Sequence, residues 1–133
     1  MTKRLKVLAA DDETEICNLI RHWLEAAGHE VQCAGSARAA TAVLKAGPID
    51  LVVTDILMPD GDGLDLIAET KKLQPGARLM AMSGGGRYVD TNDCLRMARG
   101  FGAHAALNKP FNREQFEAGV ALALGPLPDP AAW

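Results

Sequence analysis

Residues 51–63 read LVVTDILMPDGDG. The run Leu51-Val52-Val53-Thr54 ends abruptly at Asp55, and Met58-Pro59 leads into Asp60-Gly61-Asp62-Gly63. A short β-branched run bounded by turn-forming residues predicts a buried strand. Asp55 then stands at the strand's C-terminal end. In open parallel α/β sheets, ligands bind along that edge. Aspartate also occurs in turns for purely local hydrogen-bonding reasons, so this one residue decides nothing alone.

Upstream, Lys6-Val7-Leu8-Ala9-Ala10 predicts a first strand, which gives way to Asp11-Asp12-Glu13. Ile16, Leu19, Ile20, Trp23, Leu24 and Ala27 keep the spacing of one buried helical face. Asp12 is the expected cap, with Glu15 three residues on, and Gly28 the stop. Residues 30–34 predict a second, weaker strand. Ser36 then caps an alanine-rich helix with Ala40, Val43 and Leu44 inward, closed by Gly47-Pro48.

Downstream of the opening strand, a helix is expected from about Leu64 to Leu73, closed by Pro75-Gly76. Arg78 to Met82 predicts a fourth strand, giving way at Ser83 to Gly84-Gly85-Gly86. A helix from about Thr91 to Gly100 places Cys94, Met97, Ala98 and Phe101 on one face. His104 to Asn108 predicts the last strand, ending at Lys109-Pro110-Phe111. Asn112, with Gln115 three on, opens a final helix that buries Phe116, Val120 and Leu124 and stops at Gly125. Strand and helix thus alternate five times. This argues for a parallel sheet covered on both faces and wound by right-handed crossovers.

At 133 residues, the chain predicts one domain over 1–125, followed by a loosely attached proline-rich tail over 126–133. A hydrophobic content of 48% with 23% charged residues is that of a soluble globular protein. The net charge of −3 gives no electrostatic reason to expect nucleic acid binding. The basic cluster Lys3-Arg4-Lys6 is too small to change that. Cys17, Cys33 and Cys94 lack Cys-x-x-Cys or zinc-ligand spacing, and each is expected to pack as a small apolar side chain. An odd cysteine count without a signal peptide fits a reducing cytoplasm. No apolar stretch is long enough to span a membrane, so no membrane insertion is expected.

The chemistry comes from a coincidence of strand ends. Strand one ends in Asp11-Asp12, strand three in Asp55, strand four in Ser83 and strand five in Lys109. In a parallel sheet all four ends share one edge. Each residue has an ordinary explanation: caps for the acids, a turn for Ser83, a solvated end for Lys109. Four such explanations meeting at one edge make a site the better reading. Clustered carboxylates repel unless a cation joins them, and hard oxygen ligands at an open edge suit Mg²⁺. Lysine is a point-charge partner for phosphoryl oxygens. One carboxylate could attack a phosphoryl group while metal and lysine hold the developing charge.

These residues resemble the receiver domain of bacterial two-component response regulators. The matching motifs are Asp11-Asp12, Asp55 followed by Met58-Pro59-x-x-Asp62-Gly63, Ser83, and Lys109-Pro110-Phe111, and they span about Lys6 to Leu124. The resemblance implies a flavodoxin-like, doubly wound (βα)5 sheet with strand order 2-1-3-4-5. It implies that Asp55 accepts a phosphoryl group from a histidine kinase or phosphotransfer protein. Asp12 and Asp55 would bind Mg²⁺ with the Leu57 main-chain carbonyl, and Asp11 would act mostly through water. Ser83 would hydrogen-bond the phosphoryl group and Lys109 would pair with it. The Lys109–Pro110 peptide is expected to be cis, as in the family. Such a domain is a phosphoacceptor that assists its own phosphorylation and slow dephosphorylation, rather than an enzyme. It would signal to a separate output protein through the face formed by helix four, strand five and helix five, because no second domain follows Leu124.

Three departures from the family pattern matter. Ala106 stands where the family usually carries a rotating Tyr or Phe. Ser83-Gly84-Gly85-Gly86 replaces a stiffer loop, and about four extra residues precede Lys109; ordering of Gly84 to Gly100 is the expected substitute signal. Leu57 and Gly85 occupy positions that tune hydrolysis of the aspartyl phosphate, and neither can orient a water.

Rival readings fit less well. A haloacid-dehalogenase-type hydrolase needs a second Asp two residues after the nucleophile, where Leu57 stands. Gly100-Phe101-Gly102-Ala103-His104-Ala105 matches a dinucleotide pattern, but follows a helix and precedes a strand, the reverse of the required order. Asp60-Gly61-Asp62-Gly63 lacks calcium-loop spacing, and His22, His29 and His104 lack ligand spacing. The remaining alternative is a degenerate receiver, never phosphorylated, that acts as a protein-interaction module.

Overall fold

The computed structural model describes residues 4–58, 61–84 and 91–125. Lys3, the Pro59-Asp60 step, Gly85-Gly86, the tail over 126–133 and the side chain of Cys94 lie outside the described set.

Five strands form one parallel sheet: β1 (Lys6–Ala10), β2 (Glu30–Ala34), β3 (Leu51–Asp55), β4 (Arg78–Ser83) and β5 (Ala105–Asn108). Their spatial order is β2-β1-β3-β4-β5. Helices α1 (Thr14–Ala26), α2 (Ala37–Ala46), α3 (Gly63–Leu73), α4 (Thr91–Phe101) and α5 (Arg113–Leu124) alternate with them. A small antiparallel ribbon pairs Leu57–Met58 with Gly61–Asp62, a feature the sequence pattern did not suggest.

All five residues of β3 are buried, because its neighbours β1 and β4 flank it on both sides. Alternation along β1 and β3 divides the core. Leu8, Ala10 and Val52 face a layer that includes Ala40, Leu44, Ile67 and Ala98 of α2, α3 and α4. Val7, Ala9, Leu51 and Val53 face Ile20, Leu24, Phe116 and Val120 of α1 and α5. Trp23, half-buried on α1, packs against Phe116 and Phe111 at ring-centroid distances of 5.4 and 6.2 Å.

Local chemistry sets most element ends. Ser36 Oγ accepts from the Ala39 N–H, capping α2. Asn112 and Gln115 form the reciprocal capping box of α5. Gly28, at φ 95°, takes the turn after α1. The expected Asp12 cap of α1 is not formed: the cap position is Glu13, with no side-chain capping bond. Leu19 is exposed, whereas Cys17 joins Ile20 and Leu24 in the core. On α4, Ala98 is buried while Met97 and Phe101 are exposed, which corrects the expected inward face. On α5, Ala123 is buried and Leu124 only half-buried.

Two histidines do packing work at the amino-terminal rim. His29 Nδ1 accepts from the Leu5 N–H at 3.1 Å, and His104 Nδ1 from the Leu79 N–H at 3.1 Å. Gln74 stitches the same rim. Its Oε1 accepts from the Ile49 N–H at 2.7 Å, and its Nε2 donates to the Leu44 and Gly47 carbonyls at 2.8 Å each. Gln74→Ala leaves three main-chain groups without these partners. The expected cost is about 2 kcal/mol, read as a lower urea midpoint at unchanged m-value.

Candidate functional site

The carboxyl ends of β1, β3, β4 and β5 meet, as the spacing required. Main-chain bonds fasten these ends to their neighbours, β2 included. The Asp11 N–H donates to the Ala34 carbonyl, the Ile56 N–H to Met82, and the Lys109 N–H to Ser83. An open cleft of about 220 Å³ lies there, lined by Asp12, Glu13, Asp55, Leu57, Gly84 and Lys109.

Lys109 Nζ donates to Asp11 Oδ2 at 2.7 Å and lies 3.4 Å from Asp55 Oδ2 and 3.7 Å from Glu13 Oε1. One carboxylate oxygen from each of Asp11, Asp12 and Asp55 lies within 4.8 Å of the others. Asp11 and Asp55 are buried and Asp12 is exposed. The Leu57 N–H also bonds the Asp55 carboxylate, so the Leu57 main chain sits at the cleft while its side chain is 39% exposed. Ser83 is buried at the end of β4, paired in register with Asn108. Its neighbour Gly84, rather than Ser83 itself, is among the residues lining the cleft. The Lys109–Pro110 peptide is cis. Ala106 pairs with Ala81 in the strand ladder.

Glu13 is a site residue the sequence reading missed. Its N–H donates to Asp11 Oδ1 at 2.9 Å, and its carboxylate faces Lys109. Its adjacency to Asp11-Asp12 was the available signal. Gly63, which the sequence offered only as the last residue of the Met58-Pro59-x-x-Asp62-Gly63 motif, has a spatial role as well: a Cβ there would collide with the Asp55 carbonyl oxygen, so the backbone behind Asp55 is closed by a glycine.

The electrostatics follow from burial among like charges. Burial raises the Asp55 pKa to about 6; Lys109 opposes the shift and Asp11 adds to it. Burial also raises Asp11, against the hydrogen bonds from Lys109 and the Glu13 N–H. For Lys109, burial disfavours the ammonium, but the bond to Asp11 and the fields of Asp55, Asp11 and Glu13 outweigh it, and its pKa rises. One ammonium thus faces three carboxylates, and Asp12 adds a fourth at the same cleft. This set of hard oxygen donors, with too little positive charge of its own, fits a small divalent cation such as Mg²⁺.

A pH dependence follows for the metal-free protein. A folded pKa above the unfolded value of 3.8 contributes stability that is fully present below 3.8 and is lost as pH rises through about 6. Asp55→Asn removes this titration. Between pH 4.5 and 7.5 in EDTA, wild type is expected to lose about 2 kcal/mol relative to Asp55→Asn. Urea unfolding at both pH values checks it.

A parallel five-stranded α/β sheet with an acidic group and a lysine at its carboxyl rim defines the class. The chain belongs to the response regulator receiver domain family, whose model matches residues 7–121. It is 34% identical over 126 residues to the DNA-binding transcriptional regulator NtrC of Azospirillum brasilense, covering 95% of this chain and 25% of that protein. It is 33% identical over 107 residues to the regulatory protein VanRc of Enterococcus gallinarum, covering 80% of this chain and 44% of that protein. The chain therefore spans about a quarter of its NtrC relatives. Among solved structures, the chemotaxis response regulator CheY4 of Vibrio cholerae superposes with a TM-score of 0.82 at 25% identity, covering 92% of this chain and all of that one. A receiver domain protein from Clostridium thermocellum gives 0.79 at 30% identity, covering 90% and 93%. Among the described residues, no helix is long and apolar enough to cross a membrane.

Proposed function

We propose that Asp55 is the phosphoacceptor of this receiver domain, taking a phosphoryl group from the phosphohistidine of a sensor kinase or phosphotransfer protein. The observation that carries this reading is the placement of Lys109 Nζ, 2.7 Å from Asp11 and 3.4 Å from Asp55, at the mouth of an open cleft. A carboxylate oxygen of Asp55 attacks phosphorus, and the bond to the donor's imidazole nitrogen breaks. Burial and the Leu57 N–H hold the Asp55 carboxylate in place. Lys109 moves its charge onto a phosphoryl oxygen, and the Ser83 hydroxyl donates to another. Asp11, Asp12 and Asp55, with the Leu57 carbonyl, would hold Mg²⁺, which when bound offsets charge on the phosphoryl oxygens.

The added charge of about −1.5 to −2 at one rim is what a partner senses. Met97 and Phe101, exposed on α4, support docking of an output partner on the α4-β5-α5 face. The domain accepts one phosphoryl group and does not turn over phosphoesters.

Incubation with acetyl phosphate and Mg²⁺, read by whole-protein mass, tests the reading. Wild type is expected to gain one phosphoryl group. Asp55→Ala, or wild type in EDTA, gains none. Wild type that stays unlabelled would be a degenerate interaction module, and catalytic release of phosphate from many phosphoesters would make the protein a hydrolase. Either result overturns the proposal.

A further inference from the structure

Two thiols lie beneath the acidic turn. Cys17 on α1 is buried and Cys33 on β2 is half-buried. Cys17 Sγ donates to the main-chain carbonyls of Asp11 at 3.4 Å and Ala9 at 3.8 Å. Cys33 Sγ donates to the Cys17 carbonyl at 3.6 Å, so its thiol lies against the residue that carries the first one. The turn after β1, which carries Asp11 and Asp12, therefore rests on one thiol, and a second, half-buried thiol lies against the main chain of the same cysteine.

We infer that Cys17 and Cys33 close into a reversible disulfide that weakens the acidic site, a role that rests on Asp55 being the phosphoacceptor. The oxidant is a hydroperoxide, hydrogen peroxide being the simplest. It reaches half-buried Cys33 first. The Cys33 sulfur attacks one peroxide oxygen, the O–O bond breaks, and Cys33 becomes a sulfenic acid as water leaves. Cys17 sulfur then attacks the Cys33 sulfur. The S–S bond forms, the S–O bond breaks, and the hydroxyl leaves as water with the Cys17 proton. Two thiols have lost two electrons and two protons, and one peroxide has become two waters. A dithiol reductant reverses the step by exchange.

The structural consequence is local. Bonded sulfurs stand about 2.05 Å apart, closer than hydrogen-bonding thiols, so α1 and β2 are drawn together at Cys17. Cys17 also loses its S–H, and the Asp11 and Ala9 carbonyls lose their donor. Groups that orient metal ligands from behind are typically worth 10–100-fold in metal affinity, and Asp11 and Asp12 are the ligands affected.

The test uses the full chain in a Cys94→Ser background. Reduced protein is treated with hydrogen peroxide, alkylated and peptide-mapped without reduction. A peptide joining Cys17 to Cys33, lighter by two hydrogens, is expected; it is lost on adding dithiothreitol and absent in Cys33→Ser. Calorimetric titration with Mg²⁺ is expected to give roughly tenfold weaker binding for the oxidised form, with a comparable fall in labelling by acetyl phosphate. No crosslink, or a crosslinked form with unchanged Mg²⁺ affinity, overturns the inference. Reduced protein that takes no phosphoryl group overturns the phosphoacceptor reading instead.

Discussion

Gly63→Ala is expected to lower stability by at least about 3 kcal/mol and to abolish labelling of Asp55. The three atoms nearest to the added methyl are all main-chain: the Asp55 carbonyl oxygen, with which it collides, and the Asp55 carbonyl carbon and Ile56 Cα at 2.9 Å each. A flexible side chain could swing aside, but these atoms cannot. They belong to the end of β3, and the Gly63 N–H itself donates to the Ile56 carbonyl. Relief must come from moving α3 away from the sheet or from displacing Asp55. Gly35→Ala and Gly76→Ala are the controls, because a Cβ at either position meets nothing within 4 Å. Urea unfolding and mass-detected phosphorylation of the three variants check the contrast. Gly63→Ala with the stability of the controls would mean that the close approach is not a constraint.

Loss of the phosphoryl group from Asp55 is expected to be slow, outlasting removal of the donor by far more than seconds. A group that positions or deprotonates the attacking water accelerates hydrolysis by roughly 10²–10⁴-fold. The Leu57 side chain, at the cleft and 39% exposed, has no polar atom for this, and Gly85 has no side chain at all. Leu57→Asn supplies an amide at an exposed position, where the fold tolerates it. The variant should lose its label at least tenfold faster than wild type. Decay of labelled protein after gel filtration measures both rates. A wild-type half-life of seconds, or an unchanged rate in Leu57→Asn, would refute the assignment.

The fold was legible because strand ends, glycines and caps coincide with the apolar pattern. Ser36 and Asn112 cap as expected, each accepting the main-chain N–H three residues on. Helix α1 departs from expectation for a functional reason. Asp12, the expected cap, lines the cleft beside Asp55, and the Asp11 carboxylate accepts the Glu13 N–H and the Lys109 ammonium, so the acidic turn serves the cleft and the helix starts without a side-chain cap. Local preference yields where a site needs the residues. Met97 and Phe101 kept helical spacing with Ala98, yet they are exposed, because periodicity alone does not fix how far an apolar face turns towards the sheet. The carboxylates and Lys109 were legible from strand order, which forces their ends together. The roles of Glu13 and Gly63, and the approach of Cys33 to Cys17, were not, because each depends on how closely two segments approach.

The His104 imidazole at the amino-terminal rim answers acid in the opposite sense to the acidic cleft. His104 accepts an amide proton at Nδ1, which requires that nitrogen to be unprotonated. Burial, Arg78 and Lys71 hold its pKa below the ordinary 6.5. Its contribution is complete above pH 6.5 and fades as acid reaches the folded value, whereas that of Asp55 fades in the opposite direction. The two rims of one sheet therefore carry pH slopes of opposite sign, one set by a buried acid and the other by a half-buried base.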